Sequence, residues 1–565
     1  MKRMEYPLDY NPILEYWEAI ESGKETVGDK IRRWYRYLAS LVRQPGEYFY
    51  SAKRANHVIE FAENYCRLSK GAGAGRPVRL ELWEKAHLAA IFGFIDIEGN
   101  RMCREAVLIV GKKNGKSLLA SIVGLYMLLG DGEPGPEVYA VATKKDQAKI
   151  IWTESKRMVR KSQSLLKRVK PLVSELSSEL YNDGTFKPLA SDSDTLDGLN
   201  IHCGLMDEIH QWKDGRRLYD IIADGVTARE QPLIYITSTA GTIREDIYDQ
   251  KYEESERVIN GLLDDDGYKD IHFFPFIYEL DERKEWTDPE CWKKANPGLG
   301  TIKNREALAE KVRKAMENPS LVRNLVCKEF NIRETSTEAW LTFEQIDNQE
   351  LFDVAQLKPR YGIGGCDLSS TTDLTCATVI FMVPEDDRIY VEQMYWIPED
   401  LLEARVREDK IPYDIWKERG FLRTCPGNRM HYKYVVDWYR EVQEQKDIYL
   451  FKCGVDGWSA TYFVEEMRNV FGTSVIDLVF QGKKTLSGPM KSLGADLAKK
   501  RIVYNNNPIL KWCLCNTTVD VDRNDNIQPA KGKQGATRRI DGMASLLDAY
   551  VELENHLDEY LSMVA

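Results

Sequence analysis

The chain is predicted to fold as two α/β domains in tandem. One observation is its length of 565 residues, more than a single hydrophobic core usually serves. A second is an apolar run, Ala106–Val110, that feeds the short loop Gly111-Lys-Lys-Asn-Gly-Lys-Ser117 and then the apolar helical stretch Leu118 to Leu129. The third is a separate set of apolar strands beyond residue 360, two of which end in aspartate. Hydrophobic residues at 43% and charged ones at 30% fit a packed globular protein rather than a disordered one.

Up to about Lys70 the pattern is helical and amphipathic, with Tyr35, Leu38 and Leu41 recurring at helical spacing. The glycine-rich stretch 71–75 breaks it, giving an N-terminal helical segment over 1–75. Strands and helices then alternate, as in a mostly parallel sheet, with strands expected at Ala106–Val110, Glu137–Thr143, His202–Met206 and Leu233–Ser238. Residues 242–335 are charge-rich and helical, punctuated at Asn296-Pro-Gly; they close a first domain over 76–334. A connector over 335–359 precedes the second domain, 360–565. That domain opens with three strands in meander order, Tyr361–Asp367, Thr375–Met382 and Arg388–Tyr395. There are no internal repeats.

No apolar run is long enough to cross a bilayer, and the start, Met1-Lys-Arg-Met-Glu-Tyr, lacks an apolar signal core, so export is not expected. The eleven cysteines are scattered without zinc-like pairs, and Cys513 and Cys515 fit core packing; a reduced, intracellular protein is the plain expectation. A net charge of −11 excludes a uniformly basic nucleic-acid coat but not a local one. Of two basic runs, Lys156 to Lys170 fits a solvated helix face. The other, Lys531, Lys533, Arg538 and Arg539, is either a solvated loop or a grip on a DNA backbone.

The order strand, loop, helix is what a triphosphate-binding loop requires. Backbone N–H groups of Gly111, Lys112, Lys113, Asn114 and Gly115 face phosphates at a helix N-terminus, Lys116 neutralises the outer ones, and the Ser117 hydroxyl ligates Mg²⁺. The loop is atypical, because Val110 stands where the first glycine is usual. Downstream residues complete the site. Ile201-His-Cys-Gly-Leu-Met-Asp207-Glu208 is an apolar strand ending in two acids, the first suited to the Mg²⁺ shell and the second to activating water. Ile234 to Gly241 runs into Thr237, Ser238, Thr239, Ala240 and Gly241, which can sense the γ-phosphate or merely make a glycine turn.

In the second domain Asp367 and Asp456 end apolar strands, and Asp541 opens a helix whose apolar face is Met543, Leu546, Leu547 and Tyr550. Two strand-end carboxylates and one from a late helix is how ribonuclease-H-like folds gather acids around two divalent ions for phosphodiester displacement. Hard oxygen ligands suit Mg²⁺ or Mn²⁺. Asp373 fits a turn. Asp548, roughly 10 Å along the helix from Asp541, is not expected to share an ion with it.

These pieces, in this order, resemble the large terminase subunit of tailed double-stranded DNA bacteriophages. The similarity lies in Gly-Lys-Lys-Asn-Gly-Lys-Ser, with Lys112 where many members carry arginine, in Leu196-Asp-Gly-Leu-Asn200, and in Thr-Ser-Thr-Ala-Gly. The later segments Gly454-Val-Asp-Gly-Trp-Ser459, Tyr504 to Trp512 and Arg539-Ile-Asp-Gly-Met-Ala544 are similar too. The resemblance covers most of residues 80–555. It implies an ASCE-type ATPase with ATP and Mg²⁺ at Lys116 and Ser117, Asp207 on the metal, Glu208 as base and Thr237–Gly241 coupling hydrolysis to DNA movement. It also implies an endonuclease built on Asp367, Asp456 and Asp541. Implied partners are double-stranded DNA, a small terminase subunit and the procapsid portal, on which copies form a ring; no membrane is involved. The implied location is the host cytoplasm, not the mature virion. Where relatives place an aromatic residue and glutamine against adenine, this chain has Leu82-Trp83-Glu84, and Arg229, Arg244 and other arginines compete for the arginine finger.

Two other classes share some features. A cellular helicase–nuclease would need a second motor core, and the chain beyond residue 360 has the pattern of a nuclease instead. A non-catalytic scaffold would not need Lys116, Asp207 and Glu208 intact.

Overall fold

The computed structural model describes residues 3–564 except 72, 191–197, 213–214, 242–245, 263–266, 319–320, 335–338, 370–373, 410, 457–460 and 532–538, with backbone alone at 407–409. Its contacts divide the chain into two units, the first running to Arg333 and the second from Glu334 to the C-terminus.

The first unit is built on an eight-stranded sheet. In spatial order its strands are Phe273–Ile277, Glu105–Ile109, Leu233–Ser238, Cys203–Asp207, Glu137–Ala142, Gly184–Ala190, Leu176–Ser178 and Lys170–Pro171. The first six are mutually parallel, and each of the last two pairs antiparallel with the strand before it. Every residue of Leu233–Ser238 and Cys203–Asp207 is buried, as expected where helices cover both faces of a parallel sheet. One such cover is Lys116–Leu129, apolar almost all round because it lies wholly inside the core. The strand Leu233–Ser238 lies between the phosphate-loop strand and the acid strand, the additional-strand order of ASCE ATPases.

The N-terminal helices Pro12–Glu21, Asp29–Arg43 and Ala52–Tyr65 share this core rather than forming a separate segment over 1–75. Trp34 is buried edge-on against Phe274 and Phe276, with ring centroids 5.4 and 6.1 Å away. Such contacts add about 0.5–1.5 kcal/mol each beyond burial.

In the second unit the three-strand meander is present as Tyr361–Asp367, Thr375–Phe381 and Ile389–Pro398, each pair antiparallel. Tyr449–Asp456 then joins parallel to the first of these and Ile476–Val479 parallel to it in turn, which gives the ribonuclease-H-like order. The helix Asp541–Asn555 crosses the sheet so closely that glycine is required beneath it. A Cβ on Gly365 would lie 2.3 Å from the Ser545 carbonyl oxygen, and one on Gly454 2.5 Å from that of Asp548. The expected linker 335–359 is largely packed where described: Ala339 bridges Thr518, and Leu341, Phe343 and Ile346 enter the nuclease core. Among the described residues no helix is long and apolar enough to cross a membrane.

Candidate ATPase and nuclease sites

The phosphate loop follows its strand as the sequence requires. Gly115, at φ +86°, caps the helix that begins at Lys116, and Lys113 also adopts a left-handed φ of +68°. The apolar side chains before and after the loop anchor both its ends, so the turn is confined to Gly111–Gly115. Lys116 is buried and donates to the Val110 carbonyl at 3.0 Å, with Glu208 at 3.8 Å. Burial depresses its pKa, against the opposing pull of Glu208 and Asp207.

Parallel register sets the rest of the site. Asp207 pairs with Thr237, whose hydroxyl donates to its Oδ1 at 2.7 Å, and Ser117 Oγ stands 3.4 Å from its Oδ2. Burial and the Glu208 charge raise the Asp207 pKa. Burial also pushes Glu208 upward, but His210 and Lys116 outweigh it and hold that carboxyl low. Glu208 is therefore ionised, with His210 Nδ1 at 3.1 Å and the Thr239 hydroxyl at 3.4 Å. His210 also meets Ser238 Oγ at 3.0 Å, and a Cβ on Gly241 would strike it at 2.8 Å. The donor set of a serine hydroxyl and a buried carboxylate fits a hard dication.

Several members of the site lie outside the motifs. Asn114 is fully buried, donating to the Gly111 carbonyl at 2.9 Å and to Asn296 Oδ1 at 2.8 Å, while its own Oδ1 accepts from the Gly298 N–H. Lys303 donates to the same Asn296 oxygen at 2.6 Å and to Glu329 at 2.7 Å. The Gly111 N–H donates to Ala295 O and the Lys112 N–H to Lys328 O. Asn296 is thus a hub of the loop as well as a break between helices. Asn331, which caps the helix Val322–Phe330, reaches the segment after the Leu233–Ser238 strand. Its side chain accepts from the Ala240 N–H at 3.0 Å and donates to Tyr278 O at 2.7 Å. Of these additions only His210, two residues past Glu208, had a local signal in the sequence.

Glu84, the last residue of the Leu82-Trp83-Glu84 segment, is 1% exposed. Its Oε2 accepts from the Glu81 N–H, while Oε1 has no hydrogen-bond partner and lies against Gly115. Burial raises its pKa from 4.5 to about 8. Between those values the unfolded chain loses this proton and the folded one keeps it, so folding weakens as pH rises through the window. Glu84→Gln cannot ionise and is expected to gain about 1–3 kcal/mol over the wild type above pH 8, and little at pH 5. Melting temperatures of both proteins across pH 5–9 test this; parallel curves would refute it.

In the nuclease unit Asp367 and Asp456 end neighbouring parallel strands, one residue beyond the Cys366–Val455 pair. The helix above them starts at Asp541, which is buried near Cys376 and Cys513. Its seat is a polar network: Ser545 donates to Gly365 O at 2.9 Å, and Gln393 donates to Thr378 Oγ1 and to Gly542 O, both at 2.8 Å. Asp548 is a further acid of this unit. It is buried, and after burial itself the charges of Asp367 and Asp456 raise its pKa well above the carboxylate range. The charges of the strand-end pair thus reach Asp548, and its turn of helix rests directly on their strands, where a Cβ on Gly454 would meet the Asp548 carbonyl oxygen at 2.5 Å. Gln481 donates to it at 3.0 Å. A buried carboxylate pressed by two neighbouring negative charges in this way suits a divalent cation.

The basic run is divided. Lys531 is the exposed end of a half-buried hairpin strand, whereas Arg539 is only 3% exposed, which removes it from a DNA-facing role in this conformation. Lys533, Arg538, Asp373, Arg244, Leu196, Asp197 and residues 457–459 lie outside the described residues. Arg229 is held by Glu133 at 2.9 Å and by the carbonyls of Pro134, Gly135 and Asn200.

Comparison with known proteins agrees with this architecture. The model of the terminase large subunit ATPase domain matches residues 82–257, and that of the terminase large subunit endonuclease domain matches residues 267–556. The large terminase subunit of Enterobacteria phage HK97 is 27% identical over 87% of this chain and 94% of its own length. Protein YmfN of Escherichia coli K12 is 27% identical over 62% of this chain and 77% of its own. The crystal structure of the HK97 large terminase aligns with 88% of this chain and 99% of its own, at 25% identity and a TM-score of 0.46. Together, the phosphate loop, the acid strand, the nuclease carboxylates and the two matched models make this chain a member of the terminase large subunit family, a DNA-packaging ATPase joined to an endonuclease.

Proposed function

We propose that Lys116 and Ser117 hold the ATP phosphates, that Asp207 completes the Mg²⁺ shell and that Glu208 deprotonates the attacking water. The observation that carries this is the convergence of Ser117, Thr237 and Asp207, with Glu208 ionised beside Lys116. Bound Mg²⁺ would supply charge neutralisation on the β- and γ-phosphates. In the nuclease, Asp367, Asp456 and Asp541 are proposed to hold two Mg²⁺ or Mn²⁺ ions, with Asp548 beside them. There the metal would polarise the phosphodiester and lower the pKa of water. As in its family, the protein would act in the host cytoplasm as a ring on the procapsid portal, receiving duplex DNA from a small terminase subunit. It would cut the concatemer at initiation and when the head is full.

Thr237–Gly241 is proposed to couple hydrolysis to movement. Support comes from the segment 327–331, which contacts both motifs: Lys328 O accepts from the phosphate loop, and Cys327 and Asn331 bond Ala240. Asn331→Gly leaves the φ of +57° accessible but strips two buried hydrogen bonds, at about 1–3 kcal/mol. We expect it to hydrolyse ATP near the wild-type rate while displacing a third strand from duplex DNA at least about tenfold more slowly, a loss of roughly 1.4 kcal/mol. Equal losses in both assays would refute a coupling role. Failure of the wild type to displace the strand with ATP and portal-bearing procapsids present would sink the motor assignment of these residues.

A further inference from the structure

Asp477, Glu552 and His556 gather at the end of the long nuclease helix remote from Asp541. Glu552 and His556 are four residues apart and so share one helix face. Asp477 comes from the edge strand Ile476–Val479, where it pairs with Gly454 beneath that helix. One ligand atom from each lies within 4.8 Å of the others. His556 Nε2 is 3.7 Å from Asp477 Oδ2 and 3.5 Å from Glu552 Oε2.

Those separations are long for hydrogen bonds. They stand at or just beyond the edges of a coordination shell, since ligands about 2.1 Å from a metal stand roughly 3.0–3.5 Å apart, and a bound metal would draw Asp477 slightly inward. Glu552 supplies a second observation: it is 3% exposed, and its Oε2, facing His556, has no hydrogen-bond partner. On the far side of the ring, His556 Nδ1 faces Glu559 Oε2 at 3.7 Å, the kind of outer carboxylate that turns the other nitrogen toward a metal. Lys452, which donates to Asp477 Oδ2 at 2.8 Å and to Ser474 O at 2.9 Å, is the cation with which a metal would share or exchange Asp477.

We propose that Asp477, Glu552 and His556 bind a transition-metal dication of the Zn²⁺ class, at a site separate from the DNA-cutting carboxylates. One imidazole and two carboxylates favour such an ion over Mg²⁺. The ion would tie the helix's last turn to the edge strand. Beyond Val479 that strand leads to Gln481, which bonds Asp548, so the site would steady the nuclease carboxylates without touching DNA.

The test is titration of the metal-stripped full chain with Co²⁺, read by its visible absorption, and with Zn²⁺, read by calorimetry. One equivalent should survive in Asp367→Ala and weaken at least tenfold in both His556→Gln and Asp477→Asn. Asp477 is half-exposed at a sheet edge, so its amide variant should fold and decides the matter if the histidine variant does not. Retention of wild-type binding by Asp477→Asn, or loss of all binding in Asp367→Ala, would overturn the proposal.

Discussion

Asp367→Ala is expected to abolish DNA cutting while ATP turnover stays at the wild-type level. The side chain ends the strand that the catalytic helix crosses, beside Asp456 and within electrostatic reach of Asp548. A metal missing one carboxylate loses position as well as affinity, a penalty of about 4 kcal/mol or roughly 10³-fold in rate. Circular dichroism and melting of the metal-free variant separate loss of the metal site from unfolding, since removing Asp367 also takes one like charge away from buried Asp548. Supercoiled plasmid with Mn²⁺ or Mg²⁺ provides the readout. Cutting at the wild-type rate would show that the carboxylates are wrongly chosen.

Glu208→Gln should bind ATP and fail to hydrolyse it. The amide has the same shape and the same tolerance of the φ of +52° at this position, but it cannot accept a proton from water. A general base is worth about 10²–10⁴-fold. Binding should hold or tighten, because Lys116 loses the carboxylate that stands 3.8 Å away in the nucleotide-free protein. Phosphate release and equilibrium binding of a fluorescent ATP analogue separate the two effects. Turnover within tenfold of the wild type would assign the base elsewhere.

What the sequence made legible was local. The apolar strand before Gly111, the paired acids at 207 and 208 and the meander from Tyr361 are each written in short runs of consecutive residues. What it hid was tertiary. Asn114 and Asn296 are 182 positions apart, and no periodicity links them. Trp34 has the spacing of one face of a free-standing helix, and only Phe274 and Phe276 reveal its partner surface. The segment after Arg333 has a connector's composition, yet the backbone of Trp340 donates to Thr517 and so fastens it to the nuclease. Distance along the helix separates Asp548 from Asp541, but the strands beneath decide its neighbours.

Ancestry and folding divide this chain at different points, and that limits how such genes can recombine. Residues 267–333 fall within the match to the family's endonuclease model, yet they give the ATPase sheet its border strand and give the phosphate loop Ala295 and Asn296. A crossover at residue 257 that swapped in a foreign nuclease would therefore also swap much of the scaffolding of the ATP site. The Gly111 N–H would have to find its acceptor in the newcomer, and Glu105–Ile109 would have to pair with a stranger's strand. Only exchanges made near Arg333, where the contacts divide, leave each catalytic centre with the parts that hold it.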